Sequence, residues 1–197
     1  MPRPWCLARA AAVSRGALQV HGGDARGRRL TAPKGIRPTQ GLVKEAIFNS
    51  LDSAVVEADV LDLFAGSGAL GIEALSRGAG RATFVERDDG GLDAIRRNLR
   101  TLGYDGRAKV ERSEVTRWLR THPEEVKAAS LVLVDPSYND PVLDRALTLL
   151  DDLLRGGAVV VVEFASRQSL PAFPRLRPSR ERRYGDTKLA VLVAESE

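Results

Sequence analysis

Strand-like and helix-like patterns alternate from residue 60 to residue 162, and this alternation restricts the fold more than any other feature. The strand-like runs are Val60–Ala65, Ala82–Val85, Ala108–Arg112, Leu131–Val134 and Ala158–Val162. The helical patterns between them cover residues 70–76, about 88–102, 115–120 and about 142–154. Continuous apolar strands separated by helices are typical of a parallel sheet that is covered on both faces. The pattern therefore predicts an α/β protein.

The two ends of the chain depart from this alternation. Arg182–Tyr184 and Lys188–Ala194 flank a short turn, which predicts an antiparallel hairpin that completes the sheet. Near the N-terminus, residues 18–21 and 28–31 are predicted to pair as a small hairpin, and a helix is predicted to follow over 41–51. We expect three parts: a flexible basic extension (residues 1–17), an N-terminal hairpin-helix appendage (18–53) and the sheet domain (54–197).

Charge is segregated along the chain, although the net value is only +4. Residues 1–44 carry nine basic side chains and one acidic side chain, and residues 167–188 carry seven basic and two acidic ones. Residues 45–166 carry 14 basic and 21 acidic side chains. An acidic middle between two basic ends indicates a polyanionic partner.

The composition excludes several classes of protein. One cysteine and two histidines are too few for a disulfide framework or a Cys/His zinc cluster, so we expect no metal. No apolar run approaches the roughly 18 residues that a membrane span needs. Arg3, Arg9 and Arg15 interrupt the N-terminal region, which therefore lacks the apolar core of a signal peptide. We expect a soluble, cytoplasmic protein that does not contact a membrane.

A glycine-rich loop follows the first predicted strand. Gly66–Gly71 has the pattern G-x-G-x-x-G between a strand and a helix, where glycines let the backbone approach a ligand and the helix N-terminus offers free N–H groups. Glu86 ends the next strand 20 residues after Gly66, at the position where a carboxylate can accept hydrogen bonds from both ribose hydroxyls. Together these features predict a cofactor that contains adenosine.

Asp62 indicates which cofactor this is. It precedes Gly66 by four residues, and a carboxylate there is unfavourable for the pyrophosphate of a dinucleotide. It suits S-adenosylmethionine, which carries an ammonium group and a sulfonium, so a methyl donor is favoured over NAD. Glu114, after the third strand, has two interpretations that the sequence leaves open: a contact to the adenine amine, or a solvated acid at the start of a helix.

Asp135-Pro136-Ser137-Tyr138 follows the Leu131–Val134 strand, at the sheet edge where open α/β sheets bind ligands. An exocyclic amine of a nucleobase is a poor nucleophile because its lone pair is delocalised into the ring. The Asp135 carboxylate and the Pro136 carbonyl can accept its two N–H groups and turn the lone pair toward a methyl donor. Tyr138 can stack on the base. The tetrad predicts methylation of a base amine.

These motifs resemble the bacterial methyltransferase family that modifies the N2 atom of a guanine in 16S ribosomal RNA. The similarity runs from about residue 18 to the end of the chain. It rests on Gly23–Leu30, Arg37-Pro38-Thr39, Val43–Asn49, Asp62–Gly68, Glu86, Asp135-Pro136-x-Tyr138 and Tyr184–Thr187.

The resemblance implies a Rossmann-like, seven-stranded methyltransferase sheet, S-adenosylmethionine as methyl donor, and a target in a partly assembled small ribosomal subunit. It implies a base site of Asp135, Pro136 and Tyr138. The implied cofactor residues are Asp62, Phe64, Ala65, Gly66, Ser67, Gly68, Glu86, Arg87 and Glu114. Two residues depart from the family pattern: Ser137 stands where a second proline is usual, and Glu114 stands where aspartate is common. A serine is expected to make the base-binding loop less rigid.

The basic ends are the predicted contacts to RNA phosphates, which give affinity without sequence information. In the appendage the predicted RNA-binding residues are Arg26, Arg28, Arg29, Arg37 and Lys44. The C-terminal arginines have two open interpretations, RNA contact or hairpin structure. The protein is expected to be a monomer. The alternatives are an amino-methyltransferase of DNA adenine or cytosine, an NAD-dependent oxidoreductase, and a catalytically silent RNA-binding chaperone, which Ser137 suggests.

Overall fold

The structure, a computed structural model, describes residues 18–33, 45, 47–48, 51–137 and 140–196, without the side chains of residues 52 and 53. Several predictions lie outside the described residues. They are the extension over residues 1–17, most of the helix over 41–51, and the functional candidates Arg37, Lys44 and Tyr138.

The described part of the chain forms one seven-stranded sheet in the order β3-β2-β1-β4-β5-β7-β6. The strands are β1 (Asp59–Leu63), β2 (Arg81–Glu86), β3 (Ala108–Arg112), β4 (Leu131–Val134), β5 (Val159–Ala165), β6 (Leu176–Tyr184) and β7 (Thr187–Ala194). The first five strands are parallel, and β7 pairs antiparallel with both β5 and β6. The predicted α/β class and the C-terminal hairpin are confirmed.

Five α-helices connect these strands within the described residues. They are α1 (Ala69–Ser76), α2 (Asp89–Leu102), α3 (Val115–Thr121), α4 (Pro123–Ala128) and α5 (Leu143–Leu153). The sequence analysis missed α4, a six-residue helix with proline at its first turn. The predicted strand also began at Arg182, six residues after the observed start of β6 at Leu176. The solvent-exposed residues of this edge strand show no apolar alternation, so the pattern did not reveal them.

The side chains of the sheet divide between two buried clusters, one on each face. The α1 face holds Phe84, Leu133 and Leu189 and packs against α1 and α2 through Ile72 and Ile95. The α5 face packs against α3, α4 and α5, and it holds Val85, Val132, Trp118, Val126 and Leu147. Since successive residues of a strand point to opposite faces, membership of a cluster shows which way each strand residue points.

The N-terminal segment packs on the α1 face. Gln19 and Arg29 form an antiparallel bridge, and backbone hydrogen bonds join Val20 to Arg28 (3.0 Å) and Leu30 to Leu18 (2.8 Å), so residues 18–21 and 28–31 pair as predicted. Leu18, Val20 and Leu30 are buried in the same core as α1 and α2. The division of the chain at residue 53 stays a prediction, because the two predicted parts share one hydrophobic core.

Polar contacts hold the turn of this segment against the C-terminal end of α1. The hydroxyl of Ser76 donates to the Gly22 carbonyl (2.6 Å) and accepts from the Ala25 N–H (2.9 Å). The His21 N–H donates to the buried carboxylate of Glu73 (2.8 Å), which also pairs with Arg77 (2.8 Å). Burying a carboxylate is unfavourable without such partners, so these contacts specify how the segment docks.

The same turn contacts the end of α2. The Tyr104 hydroxyl donates a hydrogen bond to Asp24, and this bond lowers the pKa of the Asp24 carboxyl. The guanidinium of Arg28 donates to the Thr101 carbonyl (3.2 Å). Part of the Gly23–Leu30 motif therefore has a structural role in docking the segment.

Replacing Gly23 with alanine should destabilise the protein far more than the same change at Gly27. Both glycines have positive φ (77° and 80°), which costs another residue about 1–2 kcal/mol. At Gly23 an added Cβ would lie 1.7 Å from the Ser76 carbonyl oxygen, whereas at Gly27 it would meet no atom within 4 Å. Urea unfolding should therefore show a further loss of about 1–3 kcal/mol for Gly23→Ala. Equal losses for the two variants would contradict the described docking of the turn.

Candidate active site

Three carboxyl groups meet where β1, β4 and β5 approach one edge of the sheet. Asp135 follows Val134, which lies opposite Leu63 in β1 and Val162 in β5. This register brings Asp135 beside Glu163, the residue after Val162. Alternation along the strands places Asp62, Asp135 and Glu163 on the α1 face. The sheet therefore gathers three acids at the edge where open α/β sheets form their ligand-binding crevice.

Asp62 is the most deeply buried of the three, with 1% of its surface exposed. Its carboxylate accepts a hydrogen bond from the Gly71 N–H in the first turn of α1 (2.8 Å). Burial raises the pKa of Asp62 well above its ordinary value, and the negative charges of Asp135 and Glu86 raise it further. A cation bound in the crevice would relieve this repulsion.

The glycine-rich loop turns sharply between β1 and α1. Gly66 and Gly68 have φ of 56° and 77°, values that glycine adopts without strain. Phe64 has φ of 61°, a strained conformation for a residue with a side chain, and it packs on the α5 face. The Ala65 N–H donates to the Val85 carbonyl (3.1 Å), which attaches the loop to β2.

The Glu86 carboxylate holds the glycine-rich loop in place through backbone hydrogen bonds. One carboxylate oxygen accepts from the Gly66 N–H (2.6 Å), and the other accepts from the N–H groups of Arg87 and Asp88 (both 2.8 Å). The Glu86 side chain therefore lies against the first glycine, where the sequence analysis placed a ribose. Arg87 contributes only its backbone to this arrangement, and its side chain is exposed.

Close packing around Glu86 predicts that Gly91→Ala weakens cofactor binding. A Cβ at Gly91 would lie 2.8 Å from both Cγ of Glu86 and the Gly66 carbonyl oxygen, so these groups must shift. We expect about a tenfold lower affinity for S-adenosylhomocysteine by calorimetry, equivalent to 1.4 kcal/mol. Gly90→Ala is the matched control, because a Cβ there meets only Pro33 at 3.5 Å. Unchanged binding by the Gly91 variant would contradict a ligand site at Glu86 and Gly66.

Asn98 connects the N-terminal segment to the same loop, and the sequence analysis missed it. Its buried amide accepts from the Thr31 N–H (2.7 Å) and donates to the carbonyls of Thr31 (2.9 Å) and Ser67 (3.1 Å). Asn98 lies next to Leu99 among the buried residues of α2, and this position is the feature that could have identified it as a structural residue. An amide on a buried helix face needs hydrogen-bond partners from elsewhere in the fold.

Glu163 is the second residue that the sequence analysis missed. Its Oε2 is buried and has no hydrogen-bond partner among the described residues. Burial, together with the nearby charge of Asp135, raises the pKa of Glu163 to about 8. The available signal was an acid directly after the Ala158–Val162 run, at the edge of the sheet where Asp135 was expected.

The raised pKa predicts that Glu163→Gln stabilises the protein at alkaline pH. The folded chain keeps this proton up to about pH 8, whereas the unfolded chain releases it near the ordinary value of 4.5. The stabilising contribution is therefore full below pH 4.5 and is lost as the pH rises through 8. Denaturation curves at pH 5 should differ little between the two proteins, and at pH 9 the variant should be about 2–4 kcal/mol more stable.

An exposed glutamate provides the control for this experiment. Glu124→Gln removes a charge from α4, where the side chain is 81% exposed. It should leave the pH dependence of stability unchanged. A Glu163 variant with the pH profile of the native protein would contradict the raised pKa.

Glu114 acts as the N-cap of α3. Its carboxylate accepts from the N–H groups of Thr116 and Arg117 (both 2.9 Å) and from the Thr116 hydroxyl (2.7 Å). These bonds support the interpretation of Glu114 as a helix-start acid. A contact to adenine stays a prediction.

The Asp135-Pro136-Ser137 segment forms a partly exposed loop after β4, and Tyr138 lies outside the described residues. The Ser137 hydroxyl donates to the Asp140 carboxylate (3.3 Å), and the Asp140 N–H donates to the Ser137 carbonyl (3.1 Å). Asp140 also accepts from the Val142 N–H (3.0 Å) at the start of α5. These bonds restrain the loop where a second proline is usual.

Among the predicted RNA-binding residues that the structure describes, Arg28 lies away from this crevice. Arg26, Arg28 and Arg29 are exposed, but Arg28 contacts Thr101 in the last turn of α2. The crevice lies at the other end of that 14-residue helix, about 20 Å away. An RNA-binding role for Arg26, Arg28 and Arg29 stays a prediction, and for Arg28 it concerns a region remote from Asp135.

No group of three or more His, Cys, Asp and Glu side chains among the described residues could hold a metal ion. No helix in the described part of the chain is long and apolar enough to cross a membrane.

The crevice fits S-adenosylmethionine by the chemistry of its residues. Two glycines give the loop the conformation that close approach of a ligand requires, Glu86 offers carboxylate oxygens beside it, and Asp62 provides negative charge for a cation. A seven-stranded sheet with a reversed seventh strand and this loop defines a methyltransferase of the S-adenosylmethionine-dependent class.

Comparisons with known proteins identify the family. The model of the family described as Conserved hypothetical protein 95 matches residues 18–193, and the chain belongs to this family. The "Ribosomal RNA small subunit methyltransferase D" of Escherichia coli K12 is 39% identical over 163 residues, which are 81% of this chain and 80% of that protein. The Haemophilus influenzae protein of the same name is 34% identical over 155 residues, 76% of this chain and 80% of that protein.

The solved structures agree with this assignment. Escherichia coli yhhF superimposes with a TM-score of 0.80 at 35% identity, over 92% of this chain and all of that chain. An RNA methyltransferase from Salinibacter ruber in complex with S-adenosyl-L-homocysteine has a TM-score of 0.64 over 82% of this chain and 95% of that chain. At 19% identity it shows the shared fold alone. The predicted methyltransferase family and sheet are confirmed, and the oxidoreductase alternative is wrong.

Proposed function

We propose that the protein transfers a methyl group from S-adenosylmethionine to the exocyclic N2 amine of a specific guanine in 16S ribosomal RNA. The relatives named as small-subunit rRNA methyltransferases support the substrate class. The observation that carries the proposal is the position of Asp135. It follows a buried central strand and lies on the same face and edge of the sheet as Asp62. An acceptor for a base amine therefore lies beside the proposed cofactor site.

The cofactor residues have distinct roles in this proposal. Gly66, Ser67 and Gly68 form the backbone cradle, with Phe64 and Ala65 setting the turn that leads into it. Glu86 accepts ribose hydroxyls, and Asp62 provides negative charge for the amino acid part of the cofactor. The bound cofactor supplies an electrophilic methyl group on a positively charged sulfur.

The base-site residues orient the amine. The Asp135 carboxylate and the Pro136 carbonyl accept its two N–H groups, which directs the nitrogen lone pair out of the plane of the base. Tyr138 stacks on the base and limits its motion. As the nitrogen gains the methyl group, the bond from that carbon to sulfur breaks and the sulfur leaves as a neutral thioether. The nitrogen then releases one proton to solvent. Most of the rate enhancement comes from holding nitrogen and methyl group in line, so no metal is needed.

The remaining parts of the proposal concern the RNA-binding segment, the substrate particle, the oligomeric state and the location of the protein. In this proposal the appendage over residues 18–53 binds RNA, and a partly assembled small ribosomal subunit presents the target. The protein is a cytoplasmic monomer that does not contact membranes. The low content of aromatic residues, 5% of the chain, favours a structured target over an extended single strand.

A methylation assay tests the substrate. Radiolabelled S-adenosylmethionine is supplied with small-subunit particles from a strain that lacks this modification, and in parallel with duplex DNA. Label is expected in the 16S RNA of the particles, as N2-methylguanine after digestion. Label in DNA alone would establish the alternative, an amino-methyltransferase of adenine or cytosine.

Asp135→Ala tests the role of the carboxylate. Methyl transfer to the particles should fall by at least about 100-fold, because the amine loses an acceptor that positions it. Calorimetry should show S-adenosylhomocysteine binding largely intact, since Asp135 belongs to the base site. Glu124→Gln, on the exposed surface of α4, is the control and should leave turnover unchanged. Normal turnover by the Asp135 variant would contradict the assigned role.

A further inference from the structure

The basic C-terminal stretch separates into arginines with structural partners and arginines without them. Arg175 donates to the carbonyls of Asp151 (3.1 Å) and Leu154 (2.8 Å). Arg177 pairs with Glu195 (3.1 Å). Arg183 donates to the Gly185 carbonyl (2.9 Å).

Arg180 and Arg182 differ from these three residues. Both are exposed on β6, and within the described residues neither side chain forms a hydrogen bond or an ion pair. Their guanidinium groups therefore stabilise the described fold through no hydrogen bond or ion pair. These two side chains are therefore available to a partner.

A bulge in β6 decides which way these two side chains point. Leu176 is buried on the α5 face, whereas Tyr184 packs on the α1 face. In a regular strand, residues that are eight positions apart point to the same face. Because Leu176 and Tyr184 point to opposite faces, β6 must contain one extra residue between them. The register shift between Pro178 and Arg180 supplies that residue.

The consequence of the bulge is that Arg180 and Arg182 share a face with Tyr184. Their strand partners confirm it, because Arg180 lies opposite Val191 and Arg182 opposite Leu189, both of which belong to the core of the α1 face. Asp135 lies on this face as well. Glu181, the acid between the two arginines, points to the other face and pairs with Lys188 (2.9 Å).

Arg182 also lies level with the proposed base site along the strands, and Arg180 lies two residues farther from that edge of the sheet. Arg182 is opposite Leu189, Leu189 is opposite Glu163, and Glu163 is the neighbour of Asp135 in the next strand. One row of the sheet therefore runs from Arg182 to the proposed base site. β6 and β4 are three strand spacings apart in this row, about 14 Å.

We propose that Arg180 and Arg182 form a docking surface for the phosphate backbone of the RNA strand next to the methylated guanosine. The inference rests on the proposed function and adds to it the place where the substrate lies. Guanidinium groups bind phosphate through bidentate hydrogen bonds, and an edge strand leaves them open to a large partner. The acidic crevice would repel RNA, so positive charge at its border compensates for that repulsion.

The test compares two double variants with the same loss of charge. Arg180→Ala/Arg182→Ala removes the proposed surface. Arg117→Ala/Arg120→Ala removes two exposed arginines of α3, which packs on the α5 face, and neither side chain forms a hydrogen bond or an ion pair within the described residues. Binding to small-subunit particles from the modification-deficient strain is measured at several salt concentrations, and S-adenosylhomocysteine binding is measured by calorimetry.

The Arg180/Arg182 variant should bind the particles at least about tenfold more weakly at low salt. The slope of log K against log salt should fall by about 1.4, the value for two phosphate contacts to a single strand. The control variant should keep the native slope, and both should bind S-adenosylhomocysteine normally. A native slope for the Arg180/Arg182 variant, or an equal loss in the control, would overturn the docking surface.

Measurements on the native protein distinguish failure of the docking surface from failure of the proposed function. If it methylates the particles while the Arg180/Arg182 variant binds them normally, only the docking surface is wrong. If the native protein neither binds nor methylates the particles, the rRNA substrate is wrong and the docking surface is overturned with it.

Discussion

The site depends on the parallel register of β1, β4 and β5. Parallel strands begin at one edge of a sheet and end at the other, so residues that are far apart in the chain finish side by side. This constraint places Asp62, Asp135 and Glu163 around one crevice, although about 100 residues separate the first from the last. Burial, together with the repulsion between these acids, raises the pKa of Asp62 and of Glu163. The crevice therefore favours a ligand with positive charge.

The N-terminal segment is coupled to this crevice through Asn98. The amide holds Thr31 and Ser67 at the same time, so a displacement of the segment would displace the glycine loop. At the other end of the segment, contacts to Ser76 and Glu73 hold it against α1. A buried amide with three hydrogen bonds permits little adjustment, because each unmade bond leaves a polar group without a partner. The segment and the loop therefore form one structural unit.

Positive and negative charge are separated in space as well as along the chain. Asp62, Asp135 and Glu163 come from the acidic middle of the chain and lie at the crevice, where the proposed cofactor is cationic. The exposed arginines Arg180 and Arg182 lie at its border, on the strand farthest from β3. Arg28, which the sequence suggested as an RNA contact, lies at the far end of α2. The side of the protein that RNA would approach is thus decided by strand register.

The sequence alone determined the α/β class, the glycine loop and the positions of Asp62, Glu86 and Asp135. These features depend on spacing within a strand, a turn or a helix, and local geometry is encoded by neighbours in the chain. Only the tertiary structure decided the roles of Glu163, Asn98 and the β6 arginines. A carboxyl group gains its raised pKa, and an amide its partners, from residues that are distant in sequence. The direction of Arg180 and Arg182 depends on a single extra residue in a polar edge strand, which no apolar pattern reveals because one residue reverses the face of every side chain after it.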